Sequence, residues 1–127
     1  MNNIEDIAVG TDIENVSRFE KYVKNRELAS KLGVFTENEL DYCFSKGVPA
    51  MHIAARFCAK EAVYKALSQM NCKNIPKFCE IEVAHNKKGV PFINFLNGCP
   101  KGIECKISLS HCKDKAIAFV TVFKRCE

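Results

Sequence analysis

Several patterns that identify whole classes of protein are missing from this sequence. No apolar run approaches the roughly 20 residues that span a bilayer, so membrane insertion is not expected. The opening stretch MNNIEDIAVGTDI carries no basic leader, so it does not resemble a secretory signal. No internal repeat or low-complexity tract is present. We therefore expect a cytoplasmic protein.

Cysteine is abundant but lacks the spacing that metal sites require. The eight cysteines form no CxxC pair and no zinc-like cluster with histidine. Several alternate with apolar residues, as Cys105 does between Ile103 and Ile107, which is typical of small buried side chains. Because the cytosol is reducing, we expect these thiols to be free and structural.

The net positive charge is also too small to identify a nucleic-acid-binding protein. The 19 lysines and arginines and the 15 aspartates and glutamates give a formal charge of +4, which an ordinary solvated surface also carries. No nucleic-acid partner is therefore expected. The chain of 127 residues is predicted to be a single domain over 1–127, large enough to bury about two thirds of its unfolded surface.

Hydrophobic periodicity changes from helical to alternating along the chain. Helices are predicted at three places: 15–32, 36–47 after a capping box at Thr36, and 49–70. Strands are predicted at five: 7–13, 79–84, 90–95, 103–110 and 116–123. One strand followed by helices and then hairpins indicates an α+β domain whose antiparallel sheet packs on the long helix.

Two carboxylates stand in apolar surroundings. Asp12 shares a strand face with the small residues Ala8 and Gly10, which leaves open volume beside it, although it could also cap the helix that follows. Glu61 falls on an arc of the long helix that is otherwise largely apolar. Burying an unpaired carboxylate costs several kcal/mol, so each of the two is expected to meet a cation, a metal or a polar cleft.

Basic residues near these carboxylates allow two interpretations each. With Mg²⁺ between Asp12 and Glu61, Lys65 would neutralise phosphate charge; otherwise Lys65 simply pairs with Glu61 one turn away. Arg56 and Lys60 form a second row that would either extend from the edge of the core into water or hold phosphates. A third basic row lies on the first helix and consists of Arg18, Lys21 and Lys24.

Five segments form a recognisable set in their order along the chain. They are VGTDIENVSRF, FTENELDYC, ARFCAKEAVYKAL, GVPF and SLSHCKDKAIA. In these segments the chain resembles the holo-[acyl-carrier-protein] synthase family, the small bacterial type of 4′-phosphopantetheinyl transferase, across nearly its whole length. The GxD element joined to RFxxKEAxxKA at this separation is the most specific part of the likeness.

The resemblance implies an α+β fold of the phosphopantetheinyl transferase type, with an essential Mg²⁺ bound by Asp12 and Glu61. It implies that Asp12, Glu61 and Lys65 are the catalytic residues, with Lys65 at the transferred phosphate. It also implies a homotrimer that binds coenzyme A in a cleft between subunits. The residues then expected to contact the coenzyme are Arg56, Lys60, Pro91, Ser110 and His111.

The implied activity is transfer of 4′-phosphopantetheine from coenzyme A to a serine of apo acyl carrier protein, for fatty acid biosynthesis. The products are holo acyl carrier protein and adenosine 3′,5′-bisphosphate. Either Glu61, through a water, or Asp12 could accept the serine proton. Because carrier proteins are acidic, the basic row of the first helix (Arg18, Lys21 and Lys24) is the expected docking surface, or else an ordinary solvated face.

Two other functions could use the same residues. A metal-dependent hydrolase that cleaves the pyrophosphate of coenzyme A or a related nucleotide needs Asp12, Glu61 and Lys65, with water in place of serine. A non-catalytic nucleotide-binding or RNA-binding module needs only the basic rows and is indifferent to Asp12→Ala. Only the transferase requires a protein acceptor, and this requirement distinguishes it from the hydrolase and from the binding module.

The chain departs from the family pattern at two places near the expected nucleotide site. The basic residue usual near Val48 is absent, with Lys46 or His52 as a substitute nearby. A stretch beginning at Ser68 replaces the glycine-rich turn that often follows the long-helix motif.

Overall fold

The computed structural model describes residues 3–126 and follows the predicted order of a strand, helices and then strands. The strands within this range are β1 (Ile4–Asn15), β2 (Ile81–His85), β3 (Pro91–Phe95), β4 (Ile103–His111) and β5 (Lys115–Arg125). The α-helices are α1 (Glu20–Lys24), α2 (Arg26–Lys31), α3 (Glu37–Phe44) and α4 (Pro49–Gln69). Single 3₁₀ turns cover Val16–Phe19 and Phe78–Glu80.

The strands form two antiparallel sheets. β1, β5 and β4 make a three-stranded sheet with β5 in the middle, while β2 and β3 form a hairpin. The last strand is therefore central, as its nearly continuous apolar sequence predicts. The α+β class is confirmed. Three strands form the sheet that packs on α4, and the other two form the separate hairpin.

The long helix α4 packs on one face of the three-stranded sheet through small residues. The facing side of β1 carries Ala8 and Gly10, both buried. A Cβ atom at Gly10 would lie only 1.9 Å from the Ala62 carbonyl oxygen, so only glycine permits this approach of the two backbones. Since alternate residues of a strand share a face, the same contact brings Asp12 against α4.

The helical segment predicted over 15–32 is interrupted. Asn25 is extended, with φ −146° and ψ 91°, and its side chain accepts a hydrogen bond from the Leu28 amide at the start of α2. Asparagine competes for backbone hydrogen bonds in this way and so favours helix caps over helix interiors. The segment ends at Gly33, where φ is +74°, as predicted.

The capping box at Thr36 is confirmed. The Glu39 amide donates to Thr36 Oγ1 at 3.1 Å, and the Thr36 amide donates to the Glu39 carboxylate at 2.9 Å. Several predicted boundaries are wrong. The strand predicted over 7–13 spans Ile4–Asn15, helix α3 ends at Phe44 rather than near residue 47, and the strand predicted from residue 79 begins at Ile81, because Phe78–Glu80 forms a 3₁₀ turn.

The sheet face opposite α4 is apolar and uncovered in the single chain. It presents large side chains that are 41% to 59% exposed: Ile7, Val9, Ile13, Ile117 and Phe119. Monomeric proteins rarely expose a contiguous apolar patch of this kind, so the face is a candidate interface.

Among the described residues no helix combines the length and apolar character that crossing a bilayer requires.

Candidate functional site

Asp12 lies against one row of side chains on α4. Its Oδ1 atom is 3.4 Å from Lys65 Nζ, which also donates a 2.9 Å hydrogen bond to the Thr11 carbonyl oxygen. Burial, followed by the charge of the same Asp12 carboxylate, raises the pKa of the Cys58 thiol to about 12. Glu61 is three residues from Cys58 and four from Lys65, so it lies on the same side of the helix. The structure thus brings Asp12, Glu61 and Lys65 to one edge of the sheet.

The Asp12 carboxylate lacks the partners that burial demands. Its side chain is only 12% exposed, and its buried Oδ2 atom has no hydrogen-bond partner in the part of the chain that the structure describes. It does not cap the helical region that follows, whose N-cap is Asn15. An orphaned carboxylate oxygen near a second carboxylate suits a hard divalent cation, which takes oxygen ligands and completes its shell with water and phosphate.

Glu61 does not form the ion pair with Lys65 that helical spacing allows. Within residues 3–126 Lys65 pairs with Asp12 instead, and no ion pair of Glu61 is found. Glu61 is half-buried beside Tyr64, which is 46% exposed, so the arc predicted to be apolar is a partly open surface. In the same part of the chain, no three His, Cys, Asp or Glu side chains converge to hold a metal by themselves.

A third carboxylate, Glu14, also lies beside Asp12 and is not among the residues predicted from the sequence. Its side chain is 16% exposed and accepts a 2.6 Å hydrogen bond from Arg18. Burial, followed by the neighbouring Asp12 carboxylate, raises the pKa of the Glu14 carboxyl group. The signal in the sequence is the two-residue period of a strand, which puts residues 12 and 14 on one face.

A second group of predicted residues lines a cavity at the other edge of the sheet. The cavity has a volume of about 180 Å³ and contains all three histidines of the sequence. Its polar and cyclic side chains are Arg56, Pro91, His111, Tyr42, His52 and His85. The Tyr42 ring stacks on His85 with centroids 4.4 Å apart, and the Arg56 guanidinium lies 4.2 Å from the Tyr42 centroid.

The cavity is electrostatically positive. Arg56 is 2% exposed, and one of its terminal nitrogens is 3.4 Å from a His85 ring nitrogen. Its Nε has no hydrogen-bond partner among the described residues. Burial, with the Arg56 charge next in importance, lowers the pKa of His52 to about 4 and also lowers that of His85. Since no carboxylate among residues 3–126 lines the cavity, its chemistry suits a phosphate group.

Lys60 does not belong to this cavity, and its predicted contact with substrate phosphate is contradicted. The ammonium is completely buried, pairs with Glu39 at 2.8 Å and donates hydrogen bonds to the Phe78 and Ile81 carbonyl oxygens. Three acceptors use all three of its hydrogens, so none remains for a ligand. Lys60 is therefore a structural residue rather than a chain that extends into water.

Ser110 is also separated from the cavity within one chain. It pairs with Ile117 in the β4–β5 ladder, whereas His111 pairs with the buried Ala116. Adjacent strand residues point to opposite faces, so Ser110 lies on the uncovered apolar face and His111 on the α4 side. The prediction that both residues contact one ligand is not met in a single chain.

The two clusters lie at opposite edges of the sheet. Asp12 is on β1 and His111 on β4, with β5 between them, which separates the clusters by two strand spacings or about 10 Å. On α4, Arg56 and Glu61 point about 140° apart. One chain therefore does not gather all the predicted residues in one cleft.

The basic row predicted for docking is exposed. Lys21 and Lys24 are exposed on α1, and Arg18 lies in the 3₁₀ turn before it. The Arg18 side chain is 55% exposed and lies 4.8 Å from the centroid of the Phe57 ring. Arg18 is thus both open to a partner and close to the Asp12 site.

Curated proteins similar to this chain share one activity in their names. The family model of the 4′-phosphopantetheinyl transferase superfamily matches residues 8–120. The holo-[acyl-carrier-protein] synthase of Thermodesulfovibrio yellowstonii is 40% identical over 115 residues, covering 91% of this chain and 96% of that protein. That of Protochlamydia amoebophila is 34% identical over 119 residues, covering 89% and 94%.

Solved structures with the same fold include complexes with coenzyme A. The ACPS–CoA complex of Chronobacterium ammoniagenes matches with a TM-score of 0.76 and 26% identity, covering 94% of this chain and 98% of that one. The Helicobacter pylori holo-[acyl-carrier-protein] synthase in complex with coenzyme A matches with a TM-score of 0.68 and 29% identity, covering 90% and 98%.

Proposed function

The chain belongs to the 4′-phosphopantetheinyl transferase superfamily, and we propose that it acts as a holo-[acyl-carrier-protein] synthase. It transfers 4′-phosphopantetheine from coenzyme A to a serine of apo acyl carrier protein and releases adenosine 3′,5′-bisphosphate. The observation that carries the assignment is Asp12, whose orphaned carboxylate oxygen lies against the α4 row that bears Glu61 and Lys65. The GxD element of β1 and the KEAxxKA motif of α4 thus meet at one place.

The reaction is a displacement at phosphorus. The serine oxygen bonds to the β-phosphorus of coenzyme A, the bond from that phosphorus to the bridging oxygen breaks, and the hydroxyl proton passes to a base. Asp12 and Glu61 would hold Mg²⁺, which when bound neutralises pyrophosphate charge and orients the phosphate for in-line attack. Either of the two carboxylates can serve as the base.

Lys65 would exchange one anion for another during the cycle. In the free protein its ammonium is 51% exposed and lies 3.4 Å from Asp12 Oδ1, an ion pair too long to be strong. If Asp12 and Glu61 held a divalent cation, Lys65 would no longer be needed to pair with Asp12. Its ammonium would then be free to contact the phosphate oxygens and to stabilise the charge that develops as the bond to phosphorus breaks.

We infer that the active site is completed between copies of the chain in a homotrimer. Two observations support this arrangement: the Arg56 cavity and the Asp12 site lie at opposite edges of the sheet, and the sheet face between them is apolar and exposed. If that face packs against a second copy, the cavity of one copy can meet the Asp12 site of its neighbour. Coenzyme A would then place its phosphates in both the Arg56 cavity of one copy and the Asp12 site of its neighbour.

Subunit mixing tests this arrangement. Asp12→Ala and Arg56→Ala should each be inactive alone, but a refolded equal mixture should regain about a quarter of wild-type activity, because random pairing unites one intact half-site from each variant. If both residues acted within one chain, the mixture would stay inactive. Phe119→Asp should dissociate the oligomer in light scattering, while Leu96→Asp, at a residue that is 46% exposed beyond β3, should not.

The basic row of Arg18, Lys21 and Lys24 is the proposed docking surface for the acidic carrier protein. Exposed charges of this kind act mainly on association rate and weaken with salt. Arg18→Glu should raise the apparent KM for carrier protein and leave coenzyme A binding nearly intact, whereas Lys31→Glu on α2 should change neither. Equal losses for both substrates would contradict a docking role.

The decisive experiment mixes the protein with apo acyl carrier protein, coenzyme A and Mg²⁺ and measures the mass of the carrier. A phosphopantetheine increment that disappears with EDTA and with Glu61→Gln supports the transferase and its metal site. Cleavage of coenzyme A without a mass increment would identify the pyrophosphate hydrolase instead. We place the activity in fatty acid biosynthesis and in the cytoplasm, where eight unpaired cysteines fit the reducing conditions.

A further inference from the structure

Glu14 stands between two groups with separate roles in the proposed function. Its Oε1 atom accepts a 2.6 Å hydrogen bond from Arg18, and Glu14 shares one face of β1 with Asp12, two residues earlier. The exposed fractions of the side chains fall from 55% for Arg18 to 16% for Glu14 and 12% for Asp12. The three side chains therefore form a path from the docking surface to the buried carboxylate.

Arg18 is fixed in this position by more than its ion pair. Its guanidinium carbon lies 4.8 Å from the Phe57 centroid and 5.3 Å from the Phe19 centroid, both within the range of cation–π contacts. In the free protein the arginine therefore holds the Glu14 carboxylate. Within residues 3–126 no three His, Cys, Asp or Glu side chains converge on one metal position in the free protein.

We propose that Glu14 couples carrier docking to metal binding. Arg18 and a divalent cation between Asp12 and Glu61 compete for the same carboxylate, because opposite charges attract most strongly at short range. An acidic group of the carrier that engages Arg18 releases Glu14 to the cation. Metal and carrier then strengthen each other's binding by the same factor, as linkage requires. This inference rests on the proposed function.

Mn²⁺ binding in the absence of coenzyme A tests the inference without turnover. Paramagnetic resonance titration of the full chain should show affinity falling about tenfold in Glu14→Gln, the loss typical when a group that supports metal ligands is removed. Arg18→Ala should instead tighten Mn²⁺ binding severalfold, and should have no effect in the Glu14→Gln background. The matched control is Glu27→Gln, since Glu27 forms an exposed 3.0 Å pair with Lys31 far from the site.

The carrier adds the second arm of the test. A carrier whose acceptor serine is replaced by alanine cannot react, and it should tighten Mn²⁺ binding on the order of fivefold in the wild type but not in Glu14→Gln. Equal Mn²⁺ affinity in the wild type and Glu14→Gln would overturn the inference while leaving the metal site standing. Weaker binding in Arg18→Ala would overturn it too. Unchanged Mn²⁺ affinity in Glu61→Gln would instead contradict the metal site at Asp12 and Glu61, and with it the proposed function.

Discussion

Replacing Lys60 by methionine tests whether this residue supports the fold or the substrate. Methionine has a similar length but no charge, so the substitution removes the ammonium with little change in volume. Lys60 and Glu39 are both 0% exposed and lie 2.8 Å apart. Burial lowers the pKa of Lys60, and the Glu39 charge opposes that shift. Methionine would leave Glu39 as a buried carboxylate without its cation.

The expected loss of stability is large. Removing one partner of a buried ion pair costs about 3 to 5 kcal/mol. The carbonyl oxygens of Phe78 and Ile81 also lose the donors that lie 2.8 and 2.6 Å away, at about 1 to 3 kcal/mol for each group left unsatisfied. Because these losses overlap, we expect a total of about 4 kcal/mol, within a net stability of about 5 to 15 kcal/mol.

Urea unfolding followed by circular dichroism measures this loss, and calorimetric titration measures coenzyme A binding by the folded variant. Lys60→Met should shift the urea midpoint strongly and leave coenzyme A affinity nearly unchanged. The double variant Lys60→Met/Glu39→Gln should recover part of the stability, because no buried charge remains. Lys31→Met, in a pair that is 73% exposed on both sides, should change stability by less than about 0.5 kcal/mol. An unchanged midpoint with weakened coenzyme A binding would refute the assignment.

Three further predictions concern the site and the core. Gly10→Ala places a Cβ atom 1.9 Å from the Ala62 carbonyl oxygen, so thermal unfolding should show a loss of about 3 kcal/mol or more, and Mn²⁺ affinity should fall as β1 shifts. Asp12→Asn should abolish Mn²⁺ binding yet raise the melting temperature by roughly 4 °C, because it removes a buried, poorly paired charge worth about 1 kcal/mol; a lower melting temperature would contradict this. Burial lowers the His52 pKa from 6.5 to about 4, so the unfolded chain takes up the proton first and stability should fall as pH drops from 6.5 to 4. Urea midpoints of His52→Gln should lack that part of the pH dependence.

Local sequence patterns predict the elements that carry the site. The two-residue period of β1 separates the small residues Ala8 and Gly10 from the large ones on the other face, and the capping box at Thr36 is satisfied by residues three positions apart. Interactions between near neighbours in the chain decide such features, so they survive in the folded protein. The break at Asn25 was open to the same kind of reasoning, through the preference of asparagine for caps.

The identity of the buried charges is not a local property. Helical projection puts Glu61 on the apolar arc of α4 and leaves Lys60 and Arg56 on its edge, yet Lys60 and Arg56 are the buried side chains while Glu61 is half open. Lys60 is buried because Glu39 and two backbone carbonyl oxygens from distant segments surround it. A projection of one helix contains no information about those partners.

Periodicity and residue type act over short spans, so they are sufficient to predict the α+β class, the long helix and the two carboxylates in the motifs. Three features depend instead on contacts across the fold: Lys65 pairs with Asp12 rather than Glu61, Glu14 joins Arg18 to the site, and the Arg56 cavity lies at the other edge of the sheet. Those outcomes depend on which segments meet across the fold, where burial and distance set the strength of each charge.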